Sequence, residues 1–189
     1  MDFLSVLTSF ERDGIAVADN FISEENADRL LTYIQSLTLK EAGIGNKGNL
    51  QVNKKIRGDK IAWIAEEDKV FHETYLHSLK ELMQGMNRGF YLGLKESEHH
   101  IACYEPGTHY EKHVDTFKGS NARVISTVLY LNKNWRKEDG GCLVLYPEGR
   151  DSIIIEPLCG RLALFESTIP HEVLTSNTYR YSITGWLKR

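Results

Sequence analysis

The sequence predicts a mainly β fold with flanking helices: a double-stranded β-helix, or jelly-roll barrel, with N-terminal helices packed on one sheet. From residue 99 onward, eight short runs rich in Val, Ile, Leu and Tyr follow one another without a helical pattern between them. Turn signals such as Gly140-Gly141 separate these runs. The first half instead carries apolar residues at helical spacing. Short strands in this number and order are typical of the two packed sheets of a jelly roll.

Length and composition predict one globular domain. The chain has 189 residues, of which 41% are apolar and 26% are charged, and this is enough to bury a sizeable core. We expect a single domain over residues 1–189, in which 1–98 supply helical support and a loop and 99–189 form the jelly-roll core. The net charge of −3 gives no electrostatic signature of nucleic-acid binding.

The cysteines and the N-terminus predict a soluble, cytoplasmic protein. Three cysteines without metal-site spacing are typical of reduced thiols in a reducing compartment. The first residues carry no basic segment followed by an apolar run, so no signal peptide is expected. No apolar stretch approaches the length needed to span a membrane, and no membrane partner is expected.

Two helices and a strand are predicted in the first part of the chain. Apolar residues at helical spacing predict a short amphipathic helix over 2–13, and Gly14 is expected to end it. A short strand is expected at 15–18. Ser23 is a favourable N-cap for a helix over 24–37, because two acidic residues follow in the first turn.

The next segment is predicted to be a loop. Residues 41–54 are rich in glycine and lack periodicity, which is typical of a mobile loop or a loosely formed hairpin. A strand is expected at 61–64. A longer helix is expected over 67–87, and Gly89, just after it, marks its end.

The second half carries the eight predicted strands. They are 99–104, 109–114, 123–131, 142–146, 152–156, 161–165, 171–174 and 179–187.

A candidate metal site follows from His113-Val114-Asp115. On a strand, residues two apart point to the same face, so the imidazole and the carboxylate would lie side by side. His171 lies 58 positions later and could be brought close by folding strands. Two histidines and one carboxylate form the facial triad of non-haem Fe(II) oxygenases, which leaves positions open for a cosubstrate and O2 and favours iron over zinc. The alternative is a surface His and Asp at a strand end, with an unrelated histidine.

A candidate anion site follows from Arg180, nine residues after His171. Its guanidinium could bind the far carboxylate of a dicarboxylic cosubstrate. By strand parity Arg180 shares a face with Ser182, Thr184 and Trp186, which is unusual for a core and typical of a ligand cavity. The alternative for Arg180 is a surface salt bridge.

The chain from residue 56 onward resembles the 2-oxoglutarate- and Fe(II)-dependent prolyl hydroxylases. Within them it is most similar to the oxygen-sensing type that acts on hypoxia-inducible factor, and to the bacterial relatives of that type. The motifs that carry the resemblance, in the family's order, are IRGDKIAWI (56–64), ACYEPG (102–107), HVD (113–115), LYLNKNW (129–135), GGCLVLYPEG (140–149), IEP (155–157), PHEV (170–173) and RYSITGW (180–186).

The resemblance implies cofactors and further site residues. It implies Fe(II), 2-oxoglutarate and O2, with ascorbate as a stimulant. It implies that Tyr104 and Tyr130 line the 2-oxoglutarate pocket, with Tyr130 meeting the same carboxylate as Arg180, and we place Thr184 in this pocket as well. The alternative for the two tyrosines is an ordinary position in the core.

The resemblance also implies a substrate side of the cavity, to which we assign Trp186. It suggests that Asp59 pairs with Arg123 near the cavity mouth; the alternative is two separate surface charges. Residues 43–56 would form a lid over a bound peptide, with Leu50 and Val52 providing apolar contacts. The alternative is a plain flexible loop.

The function that follows is hydroxylation of a prolyl residue at C4 in a protein substrate, coupled to decarboxylation of 2-oxoglutarate to succinate. Elongation factor Tu is the candidate partner if the source is bacterial. Three alternatives remain: an oxygenase acting on a small molecule such as a free amino acid, a nucleic-acid demethylase, which the acidic net charge disfavours, and a non-catalytic jelly-roll binding module.

Overall fold

The computed structural model describes residues 3–43, 52–65, 67–116 and 122–189. The helices are α1 (Phe3–Asp13), α2 (Glu24–Gln35), α3 (Lys69–Phe71) and α4 (His77–Phe90), with a π-helical stretch at His72–Leu76 and a 3-10 turn at Lys137–Asp139. The strands are β1 (Ile15–Ala18), β2 (Lys40–Glu41), β3 (Asp59–Trp63), β4 (Glu96–Tyr104), β5 (Tyr110–His113), β6 (Arg123–Tyr130), β7 (Leu143–Leu145), β8 (Ile153–Ile155), β9 (Leu162–Glu166), β10 (His171–Val173) and β11 (Arg180–Lys188).

The strands form two antiparallel sheets. The major sheet has the order β1-β9-β6-β11-β4-β3-β2, and the minor sheet has the order β5-β10-β7-β8. Apolar side chains from both sheets form a common core between them, including Val128 and Phe165 from the major sheet and Leu143 and Leu145 from the minor sheet. The predicted jelly roll is confirmed, and all eight strands predicted in the second half are present.

The first half supplies more than helical support. Strands β1, β2 and β3 belong to the major sheet, so the segment 99–189 does not form the whole barrel. The short strand β2 was not predicted, because two polar residues carry no strand pattern.

The helices cover the outer face of the major sheet. Leu30 and Ile34 of α2 and Leu82 of α4 belong to the same buried cluster as Ile125 and Ile183 of the sheet. Burial of this apolar surface holds the helical layer on the barrel. Among the described residues, no helix has the length and hydropathy required to cross a lipid bilayer.

The predicted N-cap and the first helix end are observed. The Ser23 hydroxyl accepts a hydrogen bond of 3.2 Å from the backbone N–H of Asn26, and thereby satisfies one of the free donors of the first turn. Gly14 adopts a left-handed φ of +65°, and its N–H donates to the carbonyl of Phe10 at 2.8 Å. This is the conformation that favours glycine after a helix.

The third predicted helix differs from the expectation in two ways. It contains the π-helical stretch His72–Leu76, which apolar spacing cannot distinguish from an α-helix. It also continues past Gly89 and ends at Phe90, where Tyr91 takes a left-handed φ of 53°. The side chain of Asn87 bonds both the N–H and the carbonyl of Leu94, each at 2.8 Å, and this contact redirects the chain.

The predicted glycine-rich loop and lid fall largely outside the described residues. Residues 44–51, including Leu50, are among those not described. Val52 is described and is 58% exposed.

Candidate metal and cosubstrate site

A cavity of about 450 Å³ lies between the two sheets. Its wall combines strands β3, β4, β6, β9 and β11 of the major sheet with β5, β7 and β10 of the minor sheet. Most of the residues that the sequence assigned to a site line this cavity: Asp59, Tyr104, His113, Asp115, Arg123, His171, Arg180, Thr184 and Trp186.

The register of the major sheet places the lining side chains in rows across the strands. The arginine row contains Arg180, Tyr104 and Asp59; the serine row contains Ser182, Tyr130, Ala102 and Ile61; the threonine row contains Thr184, Val128, His100 and Trp63; the tryptophan row contains Trp186, Ser126 and Glu98. Successive rows are two residues apart, about 7 Å along a strand. The strand parity predicted for β11 therefore holds, and Arg180, Thr184 and Trp186 line the cavity in this order along the strand.

The structure brings His113, Asp115 and His171 together. His113 ends β5 and pairs directly with His171 of β10, and Asp115 follows two residues after His113. Nε2 of His113 lies 3.8 Å from Oδ1 of Asp115, and Nε2 of His171 lies 3.5 Å from Oδ2. The three ligand atoms lie within 4.8 Å of one another, so a single metal ion could contact all three.

Backbone carbonyls fix the tautomer of both histidines. Nδ1 of His113 lies 2.8 Å from the carbonyl of Glu111, and Nδ1 of His171 lies 2.9 Å from the carbonyl of Ile169. Because a carbonyl only accepts, each Nδ1 carries a proton, and in the neutral form of either ring Nε2 has a lone pair on the side of Asp115. Burial, together with the neighbouring His171, lowers the pKa of His113 to about 4. The His113 imidazole is therefore neutral near pH 7, as a metal ligand requires.

Asp115 is held in its ionised form by its neighbours. Burial by itself would raise its pKa, but the facing His171 and His113 and the Ser126 hydroxyl lower the pKa below the usual value for aspartate. Ser126 donates to Oδ2 at 2.6 Å and lies 3.0 Å from the hydroxyl of Ser167, whose carbonyl accepts from the Asp115 N–H at 3.2 Å. Neither serine was predicted from the sequence. The one signal was Ser126 itself, a polar residue within the mostly apolar strand β6.

These three residues provide two imidazole nitrogens and one carboxylate oxygen that converge on a cavity. Such a set fits Fe(II) with coordination positions left open for other ligands. The hydrogen bonds to Glu111, Ile169 and Ser126 orient the ligands in the way that outer contacts do in metal sites.

Arg180 is a buried cation without an anion partner among the described residues. It is 2% exposed, and its Nη1 donates to the Ser182 hydroxyl at 3.1 Å. Its Nε and Nη2 and the Tyr130 hydroxyl are buried without hydrogen-bond partners in the described structure. The guanidinium lies 4.9 Å from the ring centre of Tyr104 and 5.0 Å from that of Tyr130. A buried, unpaired guanidinium is unfavourable, so this end of the cavity is suited to a carboxylate.

The pairing expected between Asp59 and Arg123 is wrong. Asp59 accepts two hydrogen bonds from Arg57, at 2.7 and 3.0 Å. Arg123 pairs with Glu98 at 2.8 Å and lies 3.5 Å over the ring of Trp186. The register explains the difference, because Asp59 lies in the arginine row whereas Glu98 and Trp186 lie three rows away.

Sequence reasoning also missed Tyr110, Arg57 and His100. Tyr110 stacks on His113 with 3.7 Å between ring centres, and Arg57 lies 4.7 Å over the Tyr110 ring. His100 lines the cavity in the threonine row. Arg57 stands in a matched motif, but no spacing rule links it to the histidines, so its contact could not be anticipated.

Three comparisons give the relatives of this chain. The model of the 2OG-Fe(II) oxygenase superfamily matches residues 99–188. Human prolyl hydroxylase EGLN3 is 35% identical over 186 residues, which cover 92% of this chain and 77% of the relative. A Pseudomonas putida prolyl-4-hydroxylase is similar in structure with a TM-score of 0.89 and 31% identity, over 99% of both chains.

A further solved relative is a prolyl hydroxylase from Trichoplax adhaerens in complex with a hypoxia-inducible factor oxygen degradation domain peptide fragment. It has a TM-score of 0.86 and 29% identity, over 98% of this chain and 88% of that one. The cofactor of this chain is Fe(II), with 2-oxoglutarate and O2 as cosubstrates. The chain belongs to the 2-oxoglutarate- and Fe(II)-dependent prolyl hydroxylase family and is an enzyme of the prolyl 4-hydroxylase type.

Proposed function

We propose that this enzyme hydroxylates a prolyl residue at C4 in a protein substrate, with His113, Asp115 and His171 as the ligands of Fe(II). When bound, Fe(II) supplies the activation of O2 that couples decarboxylation of 2-oxoglutarate to succinate with oxidation of an unactivated C–H bond. The protein residues bind, orient and exclude water. The fixed tautomers of His113 and His171 and the ionised state of Asp115 support this ligand set.

The observation that carries the proposal is Arg180 at the other end of the cavity. Its unpartnered Nε and Nη2 and the unpartnered Tyr130 hydroxyl offer donors to the distal carboxylate of 2-oxoglutarate. Tyr104 borders the guanidinium, and Thr184 lines the cavity between Arg180 and Trp186. A dicarboxylate with one end at Arg180 would direct its keto-acid end towards the proposed metal ligands.

The cavity mouth supports a polypeptide substrate over a free amino acid. Trp63 borders the cavity and is 59% exposed, and Val114 between two proposed metal ligands is 45% exposed. With Trp186 near Trp63 and the Arg123–Glu98 pair beside it, these two exposed side chains offer an open apolar surface to a chain segment. We propose a protein partner rather than a nucleic acid or a membrane, with elongation factor Tu as the first candidate if the source is bacterial.

We also propose that residues 1–189 act as one dioxygenase domain in the cytoplasm. The helices of the first half and the strands of the second half share one apolar cluster, which supports this organisation. A role in oxygen sensing would require that activity vary with O2 over the range found in cells.

Mass spectrometry tests the proposed substrate. The enzyme is incubated with Fe(II), 2-oxoglutarate and ascorbate, first with elongation factor Tu and then with the host proteome, and peptides are searched for a mass gain of one oxygen on proline. His113→Ala is the matched inactive control. Oxidised proline that depends on the active enzyme supports the proposal. Succinate formation that responds to free proline or another metabolite, with no modified protein, would move the assignment to a small-molecule oxygenase.

A further inference from the structure

His100 is a cavity residue that neither the proposed metal set nor the proposed grip on the distal carboxylate uses. It is 2% exposed and occupies the threonine row, opposite Thr184 on one side and Trp63 on the other. Its ring centre lies 5.3 Å from that of Trp63 and 5.3 Å from that of Trp186. Two large rings therefore hold the imidazole in place.

Arg57 determines which nitrogen of His100 carries the proton. Nη2 of Arg57 lies 3.5 Å from Nε2 of His100, and a guanidinium can only donate, so Nε2 is the acceptor. Asp59 fixes Arg57 through two hydrogen bonds of 2.7 and 3.0 Å. Burial, together with the charge of Arg57, lowers the pKa of His100 to about 3. The imidazole is thus neutral, with its proton on Nδ1.

Nδ1 of His100 is a buried donor without a partner among the described residues. Buried polar groups in folded proteins almost always have a partner, and a donor left unpaired is costly. His100 lines the cavity and is 2% exposed, whereas its neighbour Trp63 is 59% exposed, so an acceptor supplied by a bound molecule would lie inside the cavity rather than at its rim.

The rows of side chains across the major sheet indicate which part of a bound molecule would lie near His100. Arg180 leans towards Ser182, one row closer to His100 than its own backbone. About 7 Å, the spacing of two residues along a strand, then separates the level of the guanidinium from the level of His100. A five-carbon diacid bound at Arg180 can reach this level with its other end.

We propose that His100 is a positioning residue for 2-oxoglutarate: its Nδ1–H donates to an oxygen at the keto-acid end, and Arg57, held by Asp59, fixes the tautomer that makes this possible. The inference rests on the proposed function of the cavity. It adds a second contact, at the opposite end from Arg180, that sets the orientation of the cosubstrate in the cavity.

Binding of 2-oxoglutarate without turnover tests the proposal. The Fe(II)-loaded protein is titrated by calorimetry in the absence of oxygen. His100→Met removes the donor while keeping bulk, His100→Gln places its amide near the position of Nε2, and His100→Asn places its amide near that of Nδ1. We expect the Met and Gln variants to raise the Kd of 2-oxoglutarate about tenfold, equivalent to about 1.4 kcal/mol. The Asn variant should stay close to the parent, and Fe(II) affinity should be unchanged in all three.

Several results would overturn the proposal. One is an unchanged Kd for 2-oxoglutarate in the Met variant. If the Asn and Gln variants weaken 2-oxoglutarate binding equally, the effect comes from loss of the His100 ring between Trp63 and Trp186 rather than from loss of the Nδ1 donor. Weaker binding of a proline peptide with unchanged 2-oxoglutarate binding would place the acceptor on the peptide. If the parent protein itself fails to bind 2-oxoglutarate, the proposed function is at fault rather than the role of His100.

A second measurement needs no variant. Long-range ¹⁵N–¹H spectra of the histidine-labelled, Zn(II)-loaded protein report the tautomer of each imidazole. We expect His100 to carry its proton on Nδ1, and that proton signal to shift when 2-oxoglutarate is added. A proton on Nε2, or a signal that does not respond, contradicts the proposal even if the Met variant does not fold.

Discussion

The imidazole of His99 lies against Gly185, so closely that a Cβ on Gly185 would overlap with Nδ1 of His99. The two residues are direct partners in the β4–β11 register. Gly185 stands between Thr184 and Trp186, which face the cavity, whereas His99 faces the helices, where the Tyr75 ring meets it edge-on at 5.5 Å between ring centres. The glycine therefore allows a buried histidine to pack behind the strand that carries the site.

Gly185→Ala is expected to destabilise the protein by about 1–3 kcal/mol, the usual cost of overpacking a filled core. The measurement is urea unfolding followed by circular dichroism. Gly89→Ala is the matched control, because a Cβ at Gly89 meets no atom within 4 Å and alanine favours a helix; it should be neutral or slightly stabilising. A Gly185→Ala variant as stable as the parent would show that His99 can move away at no cost.

His99 also predicts how stability depends on pH. Burial lowers its pKa to about 4, whereas in the unfolded chain it takes the ordinary value of about 6.5. Between these values the unfolded chain binds a proton that the folded protein does not, so stability decreases as the pH is lowered from about 6.5 to about 4. This destabilisation is absent above about pH 6.5 and reaches its full size below about pH 4.

The loss from His99 should reach about 2 kcal/mol at pH 5 relative to pH 7, by the linkage relation. Urea unfolding of the parent and of His99→Gln, each at both pH values, measures it. We expect the Gln variant to lose less stability between the two pH values, since its amide does not titrate. Identical losses would mean that His99 is protonated in the folded protein.

The proposed metal ligands make a third prediction. His113→Ala, Asp115→Ala and His171→Ala should each abolish succinate formation and weaken Fe(II) binding without unfolding the barrel. Ser126→Ala removes the 2.6 Å hydrogen bond to Asp115 and should weaken metal binding by about 10–100-fold, as is typical when a ligand loses its supporting partner. Metal affinity by competition with a chelator, beside circular dichroism, separates these effects. A fully active alanine variant would remove that residue from the ligand set.

Much of the site could be predicted from the sequence because strand parity is a local property. The spacing of His113 and Asp115 and the alternation from Arg180 to Trp186 both correspond to faces that the structure shows. The partner of Arg123 could not be predicted, because it depends on which residues of β4, β11 and β6 face one another across the sheet. The same holds for Ser126, which reaches Asp115 only through the register of the sheet.

The predicted helix over 67–87 is a second case in which the sequence gives the element but not its tertiary contacts. Apolar spacing predicted a helix over 67–87, and its Phe71 and Leu79 are buried in the core. It could not reveal the π-helical stretch between them, which contains Tyr75, the residue whose ring contacts that of His99. That contact is set by tertiary packing rather than by local propensity.

Arg180 makes the last prediction. Its side chain is buried with two nitrogen donors unpartnered among the described residues, so the distal carboxylate of 2-oxoglutarate would be its charge partner. Removing one member of a buried, hydrogen-bonded charge pair costs about 2–5 kcal/mol. Arg180→Ala should therefore raise the 2-oxoglutarate requirement by about one to three decades, at about 1.4 kcal/mol per decade.

Fe(II) affinity of Arg180→Ala should change little, because the guanidinium contacts none of the three proposed metal ligands. Arg150→Ala is the matched control: Arg150 pairs with Asp13 on the surface, far from the cavity lining, and its loss should leave the titration unchanged. Titrating 2-oxoglutarate against succinate formation, with calorimetry in the absence of oxygen, measures both variants. If Arg180→Ala and Arg150→Ala give the same 2-oxoglutarate curve, the distal carboxylate is bound elsewhere. The unpartnered donors of Arg180 would then have to serve the substrate, because a guanidinium this deeply buried still requires an acceptor.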